Sequence, residues 1–308
     1  MKVVVTGATG MIGAALVRAL EDRGDHVVTL SRDPGSAEDR LGENVDAQAW
    51  PEPKSSPPPL DALRGADAVV HLLGEPIAQR WSETAKQEIR DSRVLSTRLL
   101  VSALRELPDD QRPRVLVSQS ATGYYGPRGD TPLPESENPG ADFLAEVTKA
   151  WEAEAMAARD LPGQRVAVTR TGVVLSLHGG ALAKMLPPFR LGIGGPVAGG
   201  KQYIPWIHLT DVVRGIVRCL DDQQVDGPVN LTAPEPATNA AFSKALGRVL
   251  HRPAVLPIPG FAIRLLYGEM ATIVITGQRA VPERLLALGH EFSHPELEPA
   301  LRSVLGQA

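Results

Sequence analysis

The 308-residue chain is poor in the features that mark several large functional classes. It has a single cysteine, Cys219, which excludes an intramolecular disulfide framework and a zinc site built on cysteines. Set among apolar residues on an expected helix, that thiol reads as a core residue. No charge is in large excess: 32 Lys and Arg face 36 Asp and Glu, a net charge of −4, so nothing here attracts nucleic acid or an anionic membrane. No uninterrupted apolar run approaches the roughly 20 residues of a spanning helix. The start, MKVVVTGATG, runs into a glycine motif without a basic region, apolar core and cleavage site, so no signal peptide and a cytoplasmic location are expected. A GxSxG elbow and a GxxxxGK[ST] loop are both missing, which removes support for an acyl-transfer serine and for a P-loop. His290 and His294 are four apart, but Ser293-His294-Pro295 stops a helix there, so no helical zinc site is expected.

What is present reads as alternating strands and helices. Val-rich 2–6, HVVTLS at 26–31, DAVVHLL at 67–73, RVLVSQS at 114–120 and 164–171 have the short apolar texture of buried parallel strands. Helices are expected over 11–23, closed by Gly24, over 82–107 and over 141–159. WPEPKSSPPP at 50–59 cannot be regular structure, because proline fixes φ and removes donors, and is expected to be a surface loop. Beyond residue 175 the alternation loosens; helices are expected at 211–220 and 238–250 and a strand in GPVNLT. The expected fold is α/β: a Rossmann-type doubly wound parallel sheet over 1–175, with 176–308 mainly a small C-terminal substrate lobe, part of which can return to the first lobe.

TGATGMIG places Gly7, Gly10 and Gly13 directly after a strand and at the opening of a helix. The first allows a tight turn, the second lets backbone approach a pyrophosphate, and the third lets helix pack on strand. The helix N-terminus, with Thr9, Met11 and Ile12, offers free N–H groups and a positive dipole end to phosphates. At the end of the second strand Ser31-Arg32 supplies a hydroxyl and a planar fork suited to a 2′-phosphate, favouring NADP over NAD, although Asp33 follows. Leu72, Leu73 and Gly74 end the strand where the adenine-side ribose would pass, and Gly74 is expected to let backbone approach the cofactor. His71, inside that apolar strand, reads as a packed core histidine.

Further motifs carry a family resemblance. TGATGMIG, SxSAxGYYG after the fifth strand and RTGVVLS after the sixth resemble the extended short-chain dehydrogenase/reductases. GEPI at 74–77, GYYG at 123–126, WE at 151–152 and PFRLGIGGPVAGGKQYIPWIHLTDVV resemble an atypical branch, the epimerase family or nucleotide-sugar epimerase-like proteins, which includes a plastid division factor. The likeness covers almost the whole chain, including GQRAVPERLLALGHEFSHPEL. In extended members a Ser or Thr works with Tyr and Lys spaced as YxxxK, residues that share one helical face. Here Tyr124, Tyr125, Tyr203 and Tyr267 are followed four residues on by Arg128, Gly129, Ile207 and Ala271, so no YxxxK exists. On the helix where it should lie, Lys149 stands at the lysine position and Ala145 at the tyrosine position.

The resemblance implies roles for the residues that remain. Ser120 matches the family's serine and is the candidate to orient a reacting oxygen, a strand-end serine being the alternative. Tyr124 and Tyr125 are candidates to replace the lost acid, or to stack and pack. Lys149 is a candidate for the nicotinamide ribose or a solvated lysine. Ser118, Gly172 and Val173 are candidates for the cofactor, and Met185, Trp206 and His208 for the substrate, with weaker support for Lys184 and Arg190. Asp211 is read as a cap or structural pair, and His208 as a pocket wall or a hydrogen-bonded core residue. Two functions follow: an NADP-dependent oxidoreductase or epimerase acting on an unknown small hydroxyl or carbonyl compound or nucleotide sugar, or a non-catalytic NADP-binding redox sensor or docking protein. An oligomer is compatible with either.

Overall fold

Seven short strands form one parallel sheet in the computed structural model, which describes residues 1–42 and 45–307. They are β1 (Lys2–Thr6), β2 (His26–Ser31), β3 (Asp46–Ala49), β4 (Ala68–His71), β5 (Val115–Ala121), β7 (Arg165–Thr171) and β11 (Gly227–Leu231), in the spatial order β11-β7-β5-β4-β1-β2-β3. Three small two-stranded pieces complete the β structure. They pair β6 (Pro132–Leu133) with β13 (Arg279–Ala280), β8 (Val173–Leu175) with β10 (Trp206–His208), and β9 (Tyr203–Ile204) with β12 (Ala237–Thr238).

The sheet is parallel because its strands bury both faces. In β1, Val3 and Val5 face one core and Val4 the other, all fully buried. The first face is covered by α1 (Met11–Asp22) through Leu16, Val17 and Leu20, and by the 209–221 helix through Val212 and Ile216. The opposite face is covered by the 60–63 helix and by the long 83–106 helix through Leu100 and Leu104. Each such side chain taken out of water contributes about 1.5–3 kcal/mol before chain entropy is charged against it. The chain turns outward from β1 to β2 and β3, then returns to place β4 on the other side of β1. That reversal opens a crevice at the carboxyl ends of β1 and β4, where ligands bind in such sheets.

The second half does not stay apart. The 209–221 helix and β11 join the central sheet, β11 pairing with β7. A separate core forms from Leu182, Leu186 and Phe189 of the 180–190 helix, Phe242 and Leu246 of the 239–249 helix, Leu301, and the fully buried Trp206. The proline-rich 51–59 segment is a loop, pinned where the Trp50 indole N–H donates to the Ser56 carbonyl at 2.7 Å.

Candidate functional site

Between β1 and α1 the glycines are required by space. Gly7 has φ +67°, and a Cβ there would lie 2.7 Å from the Leu72 carbonyl oxygen; one on Gly13 would lie 2.3 Å from the Gly7 oxygen. The loop is therefore pressed against the end of β4 on one side and against its own helix on the other. Gly10 is the N-cap of α1 and makes no side-chain cap, so the first N–H groups of Met11 and Ile12 await an external acceptor. Behind this turn, Thr6 Oγ1 meets His71 Nδ1 at 2.8 Å and also accepts from Leu72 N. His71 is fully buried, and desolvation pulls its pKa down to about 3, which makes it a neutral structural histidine.

A cavity of about 90 Å³ continues from the loop, lined by Gly7, Ala8, Thr9, Ser31, Arg32 and Trp50 among others. Asp33 is turned away from it: its carboxylate accepts from Ser36 N at 3.2 Å as the N-cap of the 34–41 helix. Ser31 Oγ donates to the Asp33 carbonyl and accepts from Asp33 N, which fixes the turn. Arg32 is left exposed at the rim, with no ion-pair partner among the described residues. The arrangement suits a phosphate on the ribose 2′ position and offers no carboxylate for a free 2′-hydroxyl.

Past the ends of β4, β5 and β7, the candidate residues are closely surrounded by protein. The space beside Gly74 is filled by the Arg93 guanidinium, whose Cζ would lie 2.9 Å from a Cβ at that position. At Gly172 the crowding comes from Pro205, whose carbonyl would lie 1.9 Å from a Cβ and accepts from Val173 N at 2.7 Å. Ser118 is fully buried within β5. Ser120 is only 1% exposed, and its hydroxyl donates to Glu152 Oε1 at 2.6 Å. Glu152 is gripped by both edges of a planar fork, Arg170 Nε to Oε1 and Nη2 to Oε2, each 2.9 Å. Arg170 Nη1 reaches the Tyr125 hydroxyl at 3.1 Å and the Glu135 carbonyl at 3.0 Å, and its guanidinium lies 3.5 Å from the Tyr124 ring. Tyr125 is fully buried and donates to Asn230 Oδ1 at 2.7 Å; desolvation pushes its pKa up to about 12. Glu135 in turn accepts from Asn230 N at 2.9 Å.

Tyr125 is therefore a core residue, and Tyr124, half-buried beneath Arg170, is the remaining phenol at the strand ends. On the 143–156 helix Ala145 is buried, whereas Lys149 is exposed and 3.8 Å from Glu146. Glu152, Arg170, Asn230 and Glu135 carried no assigned role in the sequence reading. Strand register sets Arg170 beside Ser120 and Asn230, and Glu152 and Glu135 reach it from a helix and a loop.

The candidate substrate residues sit in the second half of the chain. Trp206 is buried in the second core and donates to the Glu235 carbonyl at 3.1 Å. Met185 packs on the same core, and Lys184 reaches across to the Ala78 carbonyl at 2.9 Å. His208 accepts from Thr210 N through Nδ1, capping the 209–221 helix, and stacks on His294 at 3.7 Å. Burial draws its pKa down to about 4. Asp211 accepts from the backbone N–H of Ser293 and His294, tying the loop 290–294 to that helix. That stretch has the spacing of a zinc motif but no helix, and no metal-ligating cluster occurs among the described residues. Cys219 is buried, its thiol pushed up to about 12 by desolvation. No helix among the described residues is long and apolar enough to cross a membrane.

With this geometry in place, comparison with known proteins is informative. Residues 3–231 match the NAD dependent epimerase/dehydratase family, and 258–304 match a domain of unknown function. The chain is 40% identical over 313 aligned residues to a chloroplastic epimerase family protein SDR39U1 homolog of Arabidopsis thaliana, covering 99% of this chain and 87% of the relative. A crystal structure of human epimerase family protein SDR39U1 with NADPH superposes with a TM-score of 0.87 at 36% identity, covering 100% of both chains. A nucleoside-diphosphate sugar epimerase from Corynebacterium glutamicum superposes at 0.77 with 34% identity, over 99% of this chain and 58% of that one.

Proposed function

Because the chain belongs to the NAD-dependent epimerase/dehydratase family of extended short-chain dehydrogenase/reductases, we propose that it binds NADP(H) and uses it on a small hydroxyl or carbonyl compound or a nucleotide sugar. The observation that carries the cofactor choice is the turn after β2: Arg32 exposed at the cavity rim and Asp33 committed to a helix cap. The human relative crystallised with NADPH and the Corynebacterium relative described as a nucleoside-diphosphate sugar epimerase support the reading.

The glycine loop and the uncapped start of α1 would hold the pyrophosphate, with Arg32 and Ser31 on the 2′-phosphate. When bound, the nicotinamide supplies hydride acceptance and donation. The accompanying proton cannot follow the family's usual route. Ala145 stands where the tyrosine would, Tyr125 spends its O–H on Asn230, and Ser120 spends its own on Glu152. Tyr124 or a water molecule is left to carry it. Those committed hydroxyls also favour a second reading, a non-catalytic NADP(H) sensor or docking protein.

Titration of the purified protein with NADPH and NADH, followed by a panel of carbonyl compounds and nucleotide sugars, separates the two. NADPH should bind at least tenfold more tightly than NADH, about 1.4 kcal/mol or more, and Arg32→Ala should erase the difference. Equal losses for both cofactors in that variant would remove the 2′-phosphate assignment. Nicotinamide oxidation or redox-neutral epimerisation on the panel supports the enzyme, and tight binding without turnover moves the weight to the sensor.

A further inference from the structure

The second half of the chain holds another cavity, of about 410 Å³ against about 90 Å³ at the glycine loop, and the two share no residue. Its walls include Lys244, Arg248, His251 and Arg252, from the 239–249 helix and the turn that follows it. Glu298 answers Arg248 at 3.3 Å but is shared with Arg302 at 3.1 Å. Lys244 and Arg252 have no ion-pair partner among the described residues, and Arg252 Nε donates to the Arg190 carbonyl at 3.0 Å. The helix dipole favours cations only within the last turn, and Lys244 lies before that turn and Arg252 beyond it. His251 stands at φ +51°, at a place where helices commonly end on glycine. A side chain is thus kept at the cavity in a backbone conformation that glycine adopts without strain.

Beside the cavity lies an apolar surface. The turn after Arg190 is pressed against 252–256, so closely that a Cβ on Gly195 would lie 2.0 Å from the Leu256 carbonyl oxygen. Leu191 and Val255 are 74% and 76% exposed, and Val255 also lines the cavity. Shortly after Leu256 comes the helix Gly260–Tyr267, which buries none of its residues; Phe261 and Leu265, one turn apart, are 75% and 80% exposed. This helix is fixed at both ends: the Ile258 carbonyl accepts from Ala198 N at 2.9 Å, and Glu269 pairs with Lys86 at 2.6 Å. Monomeric proteins seldom leave so many large apolar side chains together in water. The charge pattern is equally one-sided, because 161–210 and 236–268 contain no Asp or Glu in a chain that has 36.

We propose that this face docks a protein segment carrying carboxylates flanked by apolar side chains. The carboxylates enter the cavity of Lys244 and Arg252, and the apolar side chains cover Leu191, Val255 and the 260–267 helix. Charge selects that occupant. An isologous contact between two copies would bring two cationic patches together with no acid to answer them. A bilayer is too flat to enter a cavity, and the chain's net charge of −4 repels an anionic one. The inference goes beyond cofactor binding and does not depend on it.

The test pans a phage-displayed library of random peptides on the purified protein and measures dissociation constants of the selected peptides by fluorescence anisotropy. Those peptides should be rich in Asp, Glu and large apolar residues. Lys244→Gln with Arg252→Gln should weaken them about tenfold or more, and Phe261→Ser with Leu265→Ser about tenfold. Both pairs should leave the NADPH dissociation constant within about twofold of wild type. All four side chains are exposed, so thermal melts should match wild type; if Arg252→Gln loosens the contact with Arg190, Lys244→Gln alone decides. A library that yields no binder, binders without an acidic excess, or binding indifferent to either pair overturns the proposal. So does sedimentation showing a dimer that Leu265→Ser dissolves, which gives the face to a second copy. Binding to phosphatidylglycerol vesicles that the same variant abolishes also overturns it, by giving the face to a membrane.

Discussion

The loop between β1 and α1 and the cluster between β5, β7 and the 143–156 helix sit at neighbouring strand ends and solve opposite problems. In the loop, backbone supplies the chemistry: main chain packs so closely on the glycines that a Cβ on Gly13 would lie 2.3 Å from the Gly7 oxygen, and the first N–H groups of α1 have no side-chain cap. In the cluster, side chains carry everything and nothing is left over. Ser120, Glu152, Arg170, Tyr125 and Asn230 satisfy one another through contacts of 2.6–3.1 Å. A site that must receive a ligand keeps donors unsatisfied; a site that has become architecture spends them. In this chain the turn after β1 leaves its N–H groups uncapped, whereas the hydroxyls of Ser120 and Tyr125 are spent inside a buried bridge between sheet and helix.

The strongest way to break that contrast is Arg170→Met. It removes the counter-charge of Glu152 and the partner of the Tyr125 hydroxyl while keeping a similar apolar volume. Stranding a buried carboxylate costs about 3–5 kcal/mol, so the variant should unfold at much lower urea concentration. Where it remains folded, its NADPH dissociation constant should stay within about twofold of wild type. A stability loss under about 1 kcal/mol would mean that the network is not structural, and the contrast would fail.

The two regions also differed in how far the sequence revealed them. The glycine loop is local: three glycines, the preceding strand and the following helix all lie between Lys2 and Asp22, and β1 and β2 have the bounds their texture predicts. Arg32 was legible for the same reason, and the structure adds that Asp33 caps a helix. The cluster is non-local. Ser120 and Arg170 meet only because β5 pairs with β7, and Asn230 arrives from β11, 105 residues beyond Tyr125. The missing YxxxK was visible, but periodicity does not reveal which residues fill the space it vacates. β3, DAQA, has too little apolar texture to announce itself, and Trp206 looked like a pocket wall because its apolar neighbours suit a core equally well.

A finer probe of the cluster is Tyr125→Phe, which removes one oxygen and leaves the ring. Asn230 Oδ1 loses its donor and Arg170 Nη1 one of its two acceptors, a change worth about 1–3 kcal/mol for buried polar partners. Chemical denaturation should show that loss, with NADPH binding unchanged and, if turnover is found, an unaltered pH profile. Burial already pushes this phenol up to about 12, so it is a poor acid at neutral pH. A large fall in turnover with stability intact would return Tyr125 to the catalytic machinery.

The smallest expected effect decides where the two regions divide. Lys149 is the one residue of the lost YxxxK pair still present, with 58% of its side chain exposed and a 3.8 Å pairing to the equally exposed Glu146. Such pairs contribute about 0.5 kcal/mol or less, because solvent screens them and two long side chains must be held still. Lys149→Ala should therefore leave both the denaturation midpoint and the NADPH dissociation constant almost unmoved. If it instead weakens NADPH tenfold while 2′,5′-ADP binding is unchanged, the lysine swings inward when the nicotinamide half is present. The two regions would then share one ligand-holding residue, and the division between cradle and bridge would lie at Ala145 alone, at the lost tyrosine rather than at the whole pair.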